Sequence, residues 1–185
     1  FGRSYRTNIP VFQEIATRMP YTLNLAITST LIAIIIGIPI GVLSAVKQYT
    51  ITDNVALGTS LLLTSMPAFW FAMMLILLFS LKLRVLPSLG ADSWRHFILP
   101  AIATSANTLA SLIRMTRSTM LEVIRQDYIR TARAKGAKES RVIFGHALRN
   151  ALLPVVTIIG VNFGIALGGT IVVEQVFALP GLGQL

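Results

Sequence analysis

The sequence contains no cysteine, so disulfide bridges, thiolate metal sites and cysteine nucleophiles are excluded from the outset. Its two histidines, His96 and His146, lie far apart, and no histidine and carboxylate spacing suggests a metal centre. Charge is scarce. Only 12% of residues are charged and 54% are apolar, whereas a soluble domain carries roughly a quarter charged residues and just under half apolar ones. Water is therefore not the main solvent of this chain. A start methionine and a basic leader are also missing: the chain opens at Phe1 and stops at Leu185, just after the turn-forming Pro180-Gly181-Leu182-Gly183. The expectation is an internal piece of a longer protein.

Acidic residues are the scarcest charges, 7 against 16 Lys and Arg, for a net charge of +9. Such an excess suits nucleic acid when it covers one exposed face. Here nine of the 16 basic residues fall between Arg114 and Arg149, between two apolar segments. That is the pattern of a loop retained on the cytoplasmic side of a membrane, so nucleic acid is not an expected partner and the lipid bilayer is. Uncharged runs at 22–46, 54–81, 97–113 and 150–173 are each read as a span, the third lengthened by Arg114 and Arg117 snorkelling to the interface. Without the alternation of barrel strands these runs predict α-helices, hence an all-α, polytopic transmembrane fold with four spans. Lys47 and the nine loop cations lie on one side of that arrangement. Arg3, Arg6, Arg18, Lys82, Arg84 and Arg95 lie on the other. Residues 47–53 and about 114–149 are then cytoplasmic, and 1–20, 82–96 and 174–185 face outward.

Prolines and glycines punctuate the spans. Kinks are expected at Pro39 and Pro67, while Pro100 and Pro154 fall near predicted helix starts. Gly37 and Gly41, and again Gly160, Gly164 and Gly168, are spaced for close approach of a neighbouring helix, a packing role rather than a chemical one.

The basic loop reads as two helices with a break. Leu121, Ile124, Tyr128, Ala132 and Ala134 suit a helical period, Gly136 suits the left-handed end of a helix, and Ser140 suits an N-cap for the next. Ala132, Ala134 and Ala137 keep this elbow narrow, and Arg130, Arg133, Lys135 and Lys138 ring it with charge. It could plug a polar or acidic cleft on a partner protein, or lie against anionic lipid, and the residues alone do not choose.

The stretch Asp127-Tyr-Ile-Arg-Thr-Ala-Arg-Ala-Lys-Gly136, followed by His146-Ala-Leu-Arg-Asn-Ala-Leu-Leu-Pro-Val-Val156, resembles the cytoplasmic signature of binding-protein-dependent ABC importer permeases of the dipeptide, oligopeptide, nickel and glutathione branch. Gly41-Val-Leu-Ser-Ala-Val46, Leu112-Ile-Arg-Met-Thr-Arg-Ser118 and Val173-Glu-Gln-Val-Phe-Ala-Leu-Pro-Gly-Leu-Gly183 extend the resemblance along the chain. The family's general signature opens with Glu-Ala-Ala where this chain has Arg130-Thr131-Ala132, a departure typical of the peptide branch. Gly90-Ala-Asp-Ser-Trp94 and Gly168-Gly-Thr-Ile-Val-Val-Glu174 are similar to glutathione-type permeases.

The resemblance implies a type I importer permease fold over 1–185, with a further helix at each end of the intact protein and 114–149 as its cytoplasmic coupling loop. It implies that Arg130, Thr131, Ala132, Arg133, Ala134, Lys135, Gly136, Ala137, Lys138, Glu139 and Ser140 dock into an ATP-hydrolysing subunit. This subunit would catalyse nothing and bind no cofactor, ATP and Mg being held by the partner ATPase. The implied assembly has a second permease subunit, two ATP-binding subunits and an extracytoplasmic substrate-binding protein, in a bacterial or archaeal cytoplasmic membrane. The expected cargo is a peptide or glutathione, with a nickel chelate as the alternative.

Polar residues inside the spans are the candidates for a substrate path. Thr104, Asn107, Thr108 and Ser111 recur at helical spacing on the third span, and hydrogen bonding between helices is the favoured reading over a path lining. Asn24 and Asn162 face the same choice. Glu174 ends the fourth span, where solvation at the interface is favoured over contact with substrate. Leu86–Trp94 reads as an outer loop anchored at the headgroups by Trp94. Two other classes fit less well. The uncharged runs hold no ionisable residue for ion coupling in a secondary transporter, and a simple channel leaves the basic elbow without a role.

Overall fold

The computed structural model describes residues 2–4 and 8–184. Arg6, counted above among the outer cations, lies outside the described residues. Among those described there is no β-strand, only an isolated bridge between Arg3 and Pro10. The described residues form seven α-helices: α1 Val11–Val46, α2 Ile51–Ser65, α3 Ala68–Leu75, α4 Ile98–Ile124, α5 Asp127–Ala134, α6 Leu148–Gly169 and α7 Ile171–Val176. Wide π turns extend α3 over Ile76–Lys82 and precede α6 over Arg141–Ala147, and a 3₁₀ turn at Trp94–Phe97 leads into α4.

Segments 11–46, 94–124 and 141–168 are each long and apolar enough to cross a membrane, and α2 with α3 makes a fourth crossing if the broken pair is one span. The all-α, polytopic expectation therefore holds. α1 starts 11 residues before the uncharged run, because the Pro10 carbonyl accepts the Glu14 N–H and Glu14 complements the positive end of the helix. At 1.5 Å per residue α1 is about 54 Å long, more than the ~30 Å hydrocarbon core needs.

The prolines behave differently from one another. The backbone stays helical through Pro39. At Pro67 it breaks outright: Pro67 adopts an extended ψ of 137° and leaves α2 and α3 as separate helices. A proline both removes an N–H and disfavours helix at the residue before it. The Thr64 and Ser65 hydroxyls also bond back to the Ser60 and Leu61 carbonyls, which weakens the last turn of α2. Pro154, expected near a helix start, lies inside α6, because the helical path begins well before it at Glu139.

The chain divides into two compact units. One comprises 1–29, 66–105 and 163–185, and the other 30–65 and 106–162. Both segments expected in the cytoplasm, 47–53 and 114–149, belong to the second unit, and the three expected outside belong to the first. In the second unit Val42, Ala45, Met120, Ile129, Val142 and Ile143 form one core and Ala33, Leu112 and Val155 another. Gly37 and Gly41 permit this packing. A Cβ on Gly41 would lie 2.6 Å from Thr116 Cβ and 2.9 Å from the Ile113 carbonyl oxygen, and one on Gly37 would lie 3.1 Å from Leu112 Cβ. The second glycine stripe does not match its expectation among the described residues: a Cβ at Gly160, Gly164 or Gly168 meets nothing within 4 Å.

Candidate functional site

The elbow is an eight-residue helix closed at both ends by backbone geometry. Gln126 is extended, with ψ of 149°, and its carbonyl accepts the Ile129 and Arg130 N–H groups, so α5 starts at Asp127. This is a second break, at Arg125–Gln126, beyond the one expected at Gly136. It puts Leu121 and Ile124 on α4 and Tyr128, Ala132 and Ala134 on α5. Asp127 in the first turn and Arg133 in the last suit the helix dipole. Gly136 has φ of +78°. Its N–H reaches the Arg133 carbonyl at 2.9 Å and the Ala137 N–H reaches the Ala132 carbonyl at 3.2 Å, the two bonds of a Schellman cap. Ser140 is not the N-cap of the following helix. Its φ and ψ of −60° and −40° are already helical, and its side chain makes no capping bond.

Ile129 is the buried anchor of the elbow. Ile129 is fully buried among Met120, Val142, Ile143 and Ala147, with Ala132 and Ala137 packed at the edge of that core. The rest of the elbow is more open: Arg130, Thr131, Arg133 and Ala134 of α5 are exposed, as are Lys135, Gly136, Lys138, Glu139 and Ser140 beyond it, and the exposed Tyr128 hydroxyl accepts Asn150 Nδ2 at 2.9 Å. Gly136, Ala137, Lys138, Ser140 and Arg141 line a shallow concavity. Across the turn Arg133 grips Glu139 with two bonds, Nε to Oε2 at 3.1 Å and Nη2 to Oε1 at 2.6 Å. That guanidinium holds the Glu139 carboxyl below its ordinary range. Arg130 lies 3.6 Å from Asp127, but both are so exposed that the pair contributes little. The elbow thus presents Arg130, Lys135 and Lys138 on a surface of small side chains.

In the same unit, α1, α2 and α4 hold a polar centre with no counterpart in the sequence-based expectations. Asp53, on the first turn of α2, is buried and receives Arg117 Nε at 2.6 Å and Nη2 at 2.8 Å, the Ser44 hydroxyl, and the Tyr49 N–H at 2.9 Å. Arg114 donates to the Ser60 carbonyl at 3.3 Å and to Thr64 Oγ1 at 2.8 Å. Both arginines reach across from α4 to α2, Arg117 to the buried Asp53 and Arg114 to the Ser60 carbonyl and the exposed Thr64 hydroxyl, where a guanidinium finds charged or polar acceptors. The available signal was a lone acid opening an apolar segment and two arginines closing another.

Among the described residues the polar residues of the third span and Asn162 show no bonds between helices, unlike Glu174. Thr104 Oγ1 and Asn162 Nδ2 are buried without a hydrogen-bond partner, and Asn107, Thr108 and Ser111 make no side-chain bond among the described residues. Glu174 is not solvated. It sits on α7 at 1% exposure, with Oε1 accepting the Thr22 and Thr170 hydroxyls at 2.7 and 3.1 Å and Oε2 accepting the Gly183 N–H at 2.7 Å. Thr22 Oγ1 also accepts the Leu182 N–H at 3.0 Å. Glu174 is therefore the staple of the 179–184 turn. A Cβ on Gly181 or Gly183 would strike the Glu174 carboxylate or the α7 backbone. The Gly90 N–H joins the Leu86–Trp94 loop to the Phe177 carbonyl, and Trp94 stays 72% exposed, as an interfacial anchor requires.

Long apolar helices joined by a protruding basic elbow define a multi-pass membrane protein. The chain belongs to the binding-protein-dependent transport system inner membrane component family, whose model matches residues 37–185. It is 46% identical over 185 residues to the "Glutathione transport system permease protein GsiC" of Salmonella typhi and of Escherichia coli (strain K12), covering all of this chain and 60% of each relative. The chain thus spans less than two thirds of those relatives. In fold it is similar to a solved chain described as "Crystal structure of an amino acid ABC transporter with histidines", with a TM-score of 0.72 at 15% identity, covering 100% of this chain and 81% of that one.

Proposed function

We propose that this chain is part of the permease subunit of an ATP-driven importer for glutathione or short peptides, and that the elbow 130–140 receives the motion of a separate ATPase. The observation that carries this reading is the construction of the elbow. A short helix closed by a Schellman cap, pinned by Ile129 and bridged to the next segment by Arg133 and Glu139, is a compact surface element suited to transmitting force. Its uncommitted cations suit an acidic or polar cleft. Family membership supports the transport role, and the names of the relatives support glutathione as cargo. The assembly proposed is two permease subunits, two ATP- and Mg-binding subunits and an extracytoplasmic binding protein. Closure of the ATPases would draw the elbows together and open the path outward, and hydrolysis would reset it.

The test is substrate-stimulated ATPase activity of the full complex in lipid, comparing Gly136→Asp with Gly136→Ala. A side chain at Gly136 meets open space, so Ala adds only the left-handed backbone penalty, about 1–2 kcal/mol. Asp adds an acid on a basic surface. Stimulation should vanish in Gly136→Asp with assembly intact, and survive in part in Gly136→Ala. Unchanged ATP turnover and uptake in Gly136→Asp would remove the elbow from the transmission path.

A further inference from the structure

Between α1 and α2, with Ile113 of α4 at its base, the surface opens into a groove of about 390 Å³, within the size range of ligand clefts. Its lining is mostly apolar, including Ile40, Leu43 and Val55, with Ser44 and Thr59 among the polar members, and Leu43 and Val55 are 55% and 60% exposed. Among the described residues one cation lines it, Lys47, in the residue after α1 ends. Thr52 stands at the same end, since its hydroxyl lies 2.7 Å from that of Thr50, which bonds the Lys47 carbonyl.

Lys47 is uncommitted. The nearby acid, Asp53, is already saturated by both donors of Arg117, by Ser44 and by the Tyr49 N–H, and no carboxylate pairs with Lys47 among the described residues. An apolar groove on membrane-spanning helices, ending in a free cation and a hydroxyl, complements an amphiphile with an acyl chain and an anionic head. We infer that this groove holds one anionic phospholipid, its acyl chain along Leu43 and Val55 and its phosphate on Lys47 and Thr52. The site is separate from the elbow cations. It bridges the α1–α2 turn beside the Asp53–Arg117 pair, so an occupant clamps the two helices together.

The test places the full-length protein in phosphatidylcholine nanodiscs with a trace of photoactivatable phosphatidylglycerol or photoactivatable phosphatidylcholine, and maps the labelled peptides by mass spectrometry. The glycerol probe should label residues 40–59 about fivefold more than the choline probe, as one lysine near an anionic headgroup implies. Lys47→Gln should bring that ratio to unity while labelling persists. Val55→Trp, or Leu43→Trp if the first is not monodisperse, fills the groove and should remove labelling there while the rest of the protein labels as before. Equal labelling by the two probes, or a ratio indifferent to Lys47→Gln, overturns the proposal. So does the absence of label from 40–59 in the unaltered protein, which would mean that a protein segment covers the groove.

Discussion

Replacing Asp53 by Asn removes one charge and almost no volume. Asp53 is 1% exposed and faces Arg117 with two bonds of 2.6 and 2.8 Å, so the guanidinium, only 18% exposed at its side chain, would be left without its counter-charge. Breaking a buried pair from one side costs about 3–5 kcal/mol, mostly the desolvation of the orphaned charge. Arg117→Met should fall at the lower end, because Ser44 and the Tyr49 N–H still serve the carboxylate. In the double variant no charge is stranded, and the amide oxygen introduced by Asp53→Asn can still accept from Ser44 or Tyr49. Its loss should therefore be smaller than the sum of the single losses by about 2 kcal/mol, within the range of couplings for contacting residues. The assay is equilibrium unfolding of the full-length protein in mixed micelles of mild detergent and dodecyl sulfate, followed by helical circular dichroism. Single losses below about 1 kcal/mol, or additivity within ~0.5 kcal/mol, would refute the argument that the pair is buried and mutually dependent.

Three further outcomes follow from the same geometry. Gly41→Val forces α1 from α4, where a Cβ already falls 2.6 Å from Thr116 Cβ, and should cost at least about 1–3 kcal/mol in the same assay; Gly160→Ala, facing open space, should cost nothing. Glu174→Leu leaves the Gly183 N–H and the Thr22 hydroxyl without their acceptor, about 1–3 kcal/mol, and should speed hydrogen exchange at the Leu182 and Gly183 amides while Glu174→Gln does so less. Arg133 holds the folded Glu139 carboxyl below its ordinary value of 4.5, so the stabilisation of the turn is complete above that pH and is lost as pH falls through the lowered value. Exchange at residues 136–139, corrected for intrinsic rate, should rise on acidification in the native chain and show no such step in Glu139→Gln.

Much of the fold was legible because membrane constraints are strong and one-dimensional. Lipid demands apolar runs of a set length with internal hydrogen bonding, so 22–46, 97–113 and 150–173 announced helices by composition. Gly136 was legible because few residues other than glycine adopt positive φ at a helix end. Ser140 failed as a cap because its type only permits that role. The helical path already includes Ser140, beginning at Glu139, whose carboxylate is bonded to Arg133. The same limit applies to Pro39 and Pro67, alike in sequence signal, of which one is tolerated inside a helix and the other breaks it.

The sequence by itself determined that the chain is helical, that it lives in a membrane, which family it resembles and where its basic elbow turns. These depend on residue counts, spacing and local backbone preference. Only the tertiary structure decided which polar groups meet. Asp53 finds Arg117 across 64 positions and Thr22 finds Glu174 across 152. It also decided that the glycines of α1 touch a neighbour while those of α6 meet open space. Such pairings depend on the rotation and depth at which helices pack. Those are set by the summed fit of many side chains, and no single spacing along the chain records them.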